Sequence, residues 1–380
     1  MNDPADAADS QYIDNQSGLL DLVSRLEEVP ELALDTEADS LHHYFEKVCL
    51  IQLAAGAENA IVDPLCGMDL SGLLALLAGK PLILHGADYD LRMMRMTFGF
   101  LADGEVFDTM LAARLLGYEE FGLAALVERF FRVRLSKGGQ KSDWSRRPLS
   151  EAQLRYAGDD TRYLLPLAAR LREDLERLGR TEWHREACAS MVVQASKESE
   201  KDQNERWRIK GSFQLTPQQL NFLHALFQWR DLEARGADRP PFHILGNQQL
   251  LDLAALAASD PEGAFRAGPK LPRNCKGRRL QALKKAVREA SERPESEWPQ
   301  NKRRERPPSA PSGLLKALRA ECDRLAEELG IASSTLAPRP ALVNIARIKP
   351  VTLEGVMECG PLMGWQARLL VPGMRKLLKK

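Results

Sequence analysis

Three short apolar runs, Leu32–Asp35, Val48–Leu53 and Ala60–Asp63, succeed one another closely, each bounded by turn formers. They read as strands able to pair antiparallel, and the chain then alternates. A helix over Leu70–Ala78 leads to a strand at Pro81–His85. The next helix, Asp88–Phe98, repeats Leu91, Met93, Met94 and Met96 at helical spacing. A strand at Glu105–Phe107 comes next, then helices near 109–117 and 122–131. With a first helix at Ser17–Glu28 and one long helix over 150–178, the pattern predicts an α/β fold, a mixed sheet flanked by helices. Beyond residue 210 the period is helical throughout, over 216–236, 247–258, 277–292 and 313–329. Between Glu292 and Pro311 the composition turns to Arg, Pro, Ser and Glu, too charged and proline-rich to pack, so 296–312 reads as a linker. Residues 313–380 repeat the plan of 216–292, a long amphipathic helix and then short helices with prolines. The expected domains are therefore 1–200, 211–295 and 313–380.

A chain of 380 residues is too long for one core, and 44% hydrophobic with 28% charged residues is an ordinary globular balance. No apolar run reaches the ~18–20 residues of a membrane span. The N-terminal stretch is acidic and polar, unlike a secretory leader, so the expected compartment is the cytoplasm. The six cysteines form no C-x-x-C pair, which predicts free thiols rather than a zinc site. The formal net charge of zero hides an asymmetry. Residues 1–200 hold 21 basic and 34 acidic side chains, a balance of −13, and the remainder carries +13. An acid-rich half suits a site that gathers cations, and a basic half suits a polyanionic partner.

Asp35 and Glu37 flank Thr36 at the end of the first strand run. Residues i and i+2 of a strand share a face, so both carboxylates can reach one point. Buried acids of this kind require a cation or a basic neighbour. Asp90 and Asp88 both stand early in a helix, where either can serve as a cap or a dipole partner. Tyr156 and Asp160 lie one turn apart on a helix, and Asp159 nearly shares their face, so spacing alone leaves the choice between the two aspartates open. Together, such acids can surround a pair of hard cations, for which oxygen ligands favour Mg²⁺ or Mn²⁺.

The strings LALDTEAD (32–39), LHGADYDL (84–91), VFDTMLAARLLG (106–117), KSDWSRRPLS (141–150) and LRYAGDDTRYLLP (154–166), in this order and spacing, resemble the ribonuclease D family. These are DEDD-type 3′→5′ exonucleases with a tyrosine in the third motif. The resemblance implies a ribonuclease-H-like fold and two divalent metal ions on Asp35, Glu37, Asp90 and Asp160. It also implies that Tyr156 orients or helps deprotonate the attacking water, the first being expected of a phenol that stays protonated at neutral pH, and it makes Asp108 structural. The second half resembles HRDC domains, all-α nucleic-acid-binding modules. One such domain would cover 211–295, through Leu215–Gln219, Trp229–Asp231 and Pro240–Leu245, and a second would cover 313–380, through Leu329–Ile331, Leu336–Pro340 and Gly364–Trp365.

The implied partner is RNA, with tRNA precursors as substrates. A monomer without a membrane partner is expected, and the sequence implies no particular protein partner. A DNA-preferring exonuclease and a non-catalytic RNA-binding scaffold are the alternatives. Phosphate contacts are expected from the basic loop at Lys137, Lys141, Arg146 and Arg147. His42, His43 and Tyr44 are expected to contact or stack on the terminal nucleotide, and Thr36 and His85 complete the substrate-facing set. Lys284, Lys285 and Arg288 would give the first helical domain a basic face, with Arg375, Lys376, Lys379 and Lys380 in the tail adding to it. Deletion of 211–380 is expected to weaken binding of structured RNA while sparing hydrolysis of short oligonucleotides.

Overall fold

The computed structural model describes residues 10–56, 58–136, 138–197, 205–301 and 309–378. Lys137, Lys379, Lys380 and the arginine-rich end of the expected linker, 302–308, lie outside them. The chain divides into two compact units. The first comprises Met1–Ala38, Val48–Lys197 and Pro307–Lys380, and the second Asp39–Lys47 and Glu198–Arg306.

The first unit is built on a mixed sheet of strands β1 (Gln11–Ile13), β2 (Leu32–Ala38), β3 (Val48–Ala55), β4 (Glu58–Val62), β5 (Leu82–Leu84) and β6 (Val106–Asp108). Their order is β1-β4-β3-β2-β5-β6. β3 runs antiparallel to β2 and β4, and the other pairs are parallel. The three consecutive runs are therefore strands as expected. β1 was not foreseen, because three residues with one buried side chain show no alternation.

Alternation along β2 sends Leu32 and Leu34 to one face and Ala33 to the other. The first face is covered by α1 (Gln16–Glu27), α2 (Ser71–Gly79) and α3 (Asp88–Phe98), through Leu19, Leu22, Leu73, Leu77, Leu91 and Met94. α4 (Thr109–Leu115), α5 (Leu123–Phe131), α6 (Glu151–Arg162) and α7 (Leu164–Arg177) belong to the opposite face. The single helix expected over 150–178 is two, α6 and α7, divided at Tyr163. Pro166 explains the division, since it has no N–H to bond back into α6 and its ring collides with the carbonyl one turn earlier. α8 (Thr181–Ser196) was also missed. Its inner face is His184, Ala187, Cys188 and Ala195, too small and too polar to read as an apolar stripe.

The last helices, α14 (Ser312–Leu329), α15 (Ser333–Leu336), α16 (Arg339–Ile348), α17 (Leu353–Met357) and α18 (Gly364–Leu378), share one core with α4 and α7. Trp365 stacks on Trp183 with ring centroids 4.5 Å apart. Arg180 donates to the Leu115 carbonyl at 2.6 Å and to that of Leu329. Glu186 accepts from the amides of Gly364 and Trp365, capping α18. Gly117, at φ +85°, lets the Gly330 carbonyl approach so closely that a Cβ there would lie 1.8 Å from its oxygen. Residues 313–380, expected as a separate domain, are thus packed into the unit that holds the sheet.

The second unit is all-α: α9 (Pro217–Gly236), α10 (Pro241–Ile244), α11 (Asn247–Ser259), α12 (Ala264–Ala267) and α13 (Arg278–Glu292). Leu220, Leu223, Leu226, Leu250, Leu253, Leu283 and Val287 form its core. The capping box of Thr216 and Gln219 starts α9. The expected linker is partly folded here, since Asn301 donates to the Leu215 carbonyl at 2.7 Å. Among the described residues, no helix is long and apolar enough to cross a membrane, and all six cysteines are free.

Candidate active site

β2 carries Asp35 and Glu37 to one point, and α6 brings Asp160 to the same point. One carboxylate oxygen of each lies within 4.8 Å of the others. Asp90, in the first turn of α3, stands outside that triad but lines the same cleft of about 550 Å³. Its carboxylate accepts a 2.6 Å hydrogen bond from the Thr36 hydroxyl. Thr36, expected to face substrate, lines the cleft and also orients an acid on a second element. Behind this, Asp108 accepts from the amides of Ala87, Met110 and Leu111 at 2.8–2.9 Å and ties the start of α3 to the start of α4.

Neighbours distinguish the members of the two pairs that spacing left open. Asp88 pairs with Arg92 at 2.7 Å on the exposed side of α3. Asp159 lies 3.6 Å from Arg162. Asp90 and Asp160 are the pair that face the cleft. Tyr156 lines it as well, and its hydroxyl donates to Asp160.

The electrostatics are those of a cation site. Burial, then the charges of Asp160 and Asp90, pushes Glu37 up to about 9. Burial, then the charges of Asp90, Asp160 and Glu37, pushes Asp35 well above the usual carboxylate range. Burial also raises Asp90 to about 6 against the opposing Thr36 hydrogen bond, and it raises Asp160 to about 7. Among the described residues, no lysine or arginine lines the cleft. An oxygen-only donor set whose members repel one another fits hard divalent cations.

The loop before α6 is anchored rather than free. Arg147 was expected to bind phosphate, but it forms an ion pair with Asp63 and donates to the carbonyls of Trp144 (2.7 Å) and Cys49 (3.0 Å). Tyr12 also donates to Asp63. With those donors engaged, Arg147 is a structural anchor. Trp144, almost fully buried, lies 6.0 Å from the Tyr156 ring. Gly139 backs the other part of that ring, where a Cβ would meet it at 2.3 Å. Arg146 remains 77% exposed beside Asp143. Ser136 and Gln140 of this loop, Tyr89 and the first turn of α5 line the cleft unforeseen. Only the Gly138-Gly139 doublet hinted at the close approach.

His85 lines the cleft with its Nδ1 2.9 Å from the Thr109 hydroxyl. His42, His43 and Tyr44 belong to the second unit. There the Tyr44 hydroxyl donates to Asp231 at 2.8 Å, and His43 Nδ1 lies 2.7 Å from Asp238. Stacking of Tyr44 on a nucleotide is corrected accordingly, because its ring packs into the helical core.

Comparison with known proteins agrees with this geometry. Residues 10–176 match the family model of the 3′–5′ exonuclease domain, and 219–269 match the HRDC domain. The chain is 32% identical to ribonuclease D of Pseudomonas paraeruginosa over 95% of both sequences. The chain belongs to the ribonuclease D family. Ribonuclease D of Acidiphilium cryptum is 30% identical, over 94% of this chain and 90% of that one. The crystal structure of Escherichia coli RNase D, described as an exoribonuclease involved in structured RNA processing, superposes with a TM-score of 0.73 at 26% identity. It covers 98% of this chain and 99% of that one. Ribonuclease D membership makes the chain a hydrolytic 3′→5′ exoribonuclease with a mixed α/β catalytic domain and an HRDC domain.

Proposed function

We propose that this chain shortens RNA from its 3′ end at the cleft of Asp35, Glu37, Asp90, Tyr156 and Asp160. Two divalent cations, Mg²⁺ or Mn²⁺, would assist, nucleoside 5′-monophosphates would be released, and tRNA precursors would be among the substrates. The observation that carries this reading is the convergence of four acids from β2, α3 and α6, Asp90 buried and the other three half-buried, on one cleft beside Tyr156. Asp35, Glu37, Asp90 and Asp160 would hold the ions, which when bound supply Lewis-acid activation of water and charge compensation at the phosphate.

The protein's own groups do the rest. Burial and the neighbouring carboxylates raise the Tyr156 phenol above its ordinary value, so it stays protonated at neutral pH. It donates to Asp160, and its oxygen lone pairs orient the attacking water rather than deprotonate it. The first turn of α5, Leu123–Ala125, offers a substrate phosphate the positive end of a helix. His85 lines the same cleft, and Arg146 and Lys141 of the preceding loop supply sequence-independent phosphate contacts.

A time course on 5′-labelled RNA and matched DNA, with Mg²⁺, Mn²⁺ or EDTA, tests this. Wild type is expected to give stepwise, metal-dependent shortening of RNA, and Asp35→Asn to bind RNA without shortening it. Binding without shortening in wild type, whatever the metal, would replace the enzyme reading with a scaffold.

A further inference from the structure

Gln52 sits in the middle of β3, directly opposite Asp35 in the antiparallel ladder with β2. Directly opposed residues of such a pair send their side chains to the same face, with Cβ atoms about 4.5–5.5 Å apart. Gln52 therefore shares the face of Asp35 and Glu37, the face covered by α6. It is completely buried, and neither its Nε2 nor its Oε1 has a hydrogen-bond partner among the described residues. The rest of this face is different. Asn59 lies opposite Ala54, two residues along β3, so its amide points the same way. That amide is fully used, with Nδ2 donating to the Gly158 carbonyl at 2.7 Å and Oδ1 accepting from Thr161 at 3.2 Å. Buried amides are partnered as a rule, and one left without a partner beside a ligand cluster calls for an explanation.

We propose that Gln52 is a positioning residue of the metal site, its Nε2 donating to the Asp35 carboxylate when Asp35 ligates a cation. A ligating carboxylate turns one oxygen to the metal, and donors behind it fix the direction of that oxygen. Loss of such a donor typically costs 10–100-fold in metal affinity. Asp35 accepts a backbone hydrogen bond from Thr36 on its own strand, and Gln52 is the side-chain donor that the neighbouring strand supplies. The inference rests on the proposed metal site.

The test is Gln52→Met, which keeps the volume and removes both polar atoms. Melting of the metal-free protein is measured first, then Mn²⁺ binding by electron paramagnetic resonance. The expected result is an unchanged or higher metal-free Tm with a Mn²⁺ Kd raised about 10-fold or more. RNA shortening should recover as Mn²⁺ is increased, with KM for RNA unchanged. A Kd within about twofold of wild type would overturn the proposal. So would a lower metal-free Tm, since the amide would then have a partner in the metal-free fold. If wild type itself bound no Mn²⁺, the metal-site reading would fail, a result separate from failure of Gln52 alone.

Discussion

Asp35, Glu37, Asp90 and Asp160 each bind protons more tightly in the folded chain than in the unfolded one, with Glu37 at about 9, Asp160 at about 7 and Asp90 at about 6. For an acid raised by folding, the native state holds more protons above the unfolded value, so stability falls as pH rises from about 4 toward about 9. The Tm of the metal-free protein should therefore drop between about pH 5 and about pH 9, with a shallower slope in Asp35→Asn. Mn²⁺ binding at neutral pH should release protons, read as a buffer-dependent binding enthalpy in calorimetry. Equal slopes in both proteins would contradict the shared-charge account. At this scale the acids were legible from their motifs, yet spacing alone left Asp88 against Asp90 and Asp159 against Asp160 open. What separates them is the fold, in which Arg92 pairs with Asp88 and Arg162 with Asp159 while Asp90 and Asp160 line the cleft. Arg147 was not legible, because its anchor, Asp63, is remote in sequence and meets it only through the fold.

The segment before α6 shows what an element can do that its residues do not announce. Read as a basic loop, it is instead wedged between strand and helix, with Trp144 and Gly139 enclosing Tyr156. Gly139→Ala forces the ring or the loop to move, and misplacement by about an ångström can cost about 100-fold in rate. We expect kcat to fall about 10- to 100-fold, with KM little changed in steady-state assays on a short RNA. Unchanged kcat would mean that the loop gives way instead. Most elements were readable because apolar period survives burial on one side. The exceptions have physical causes. Pro166 divides a continuous pattern into α6 and α7, and small residues hide the inner face of α8.

For the molecule as a whole, the division into acidic and basic halves does not match the physical units. Residues 307–380 share a unit with the sheet, while 198–306 fold with 39–47. Internal repetition in the sequence reports ancestry of a pattern, whereas the packing of Trp365 on Trp183 decides what unfolds together. Trp365→Ala should destabilise the catalytic unit by about 3–5 kcal/mol, seen as an early loss of nuclease activity on heating. Deletion of 211–380, expected from sequence to spare short substrates, would strip a core shared by α4 and α7 and cost activity on every substrate.

The short segment 39–47 has a consequence for how the chain is made. It leaves β2 just after Asp35 and Glu37 and returns in β3, having joined the other unit. The polypeptide passes between units after Ala38, Lys47, Lys197 and Arg306. On the ribosome, Tyr44 emerges long before Asp231, the partner of its hydroxyl, and the sheet emerges before the helices that finish its core. The first unit cannot be completed until the whole of the second has been translated, whereas the second is complete in sequence at Arg306. A single cut separates no unit whole from the other, and truncation after Arg306 keeps every residue of the second unit while stripping the first of its last helices.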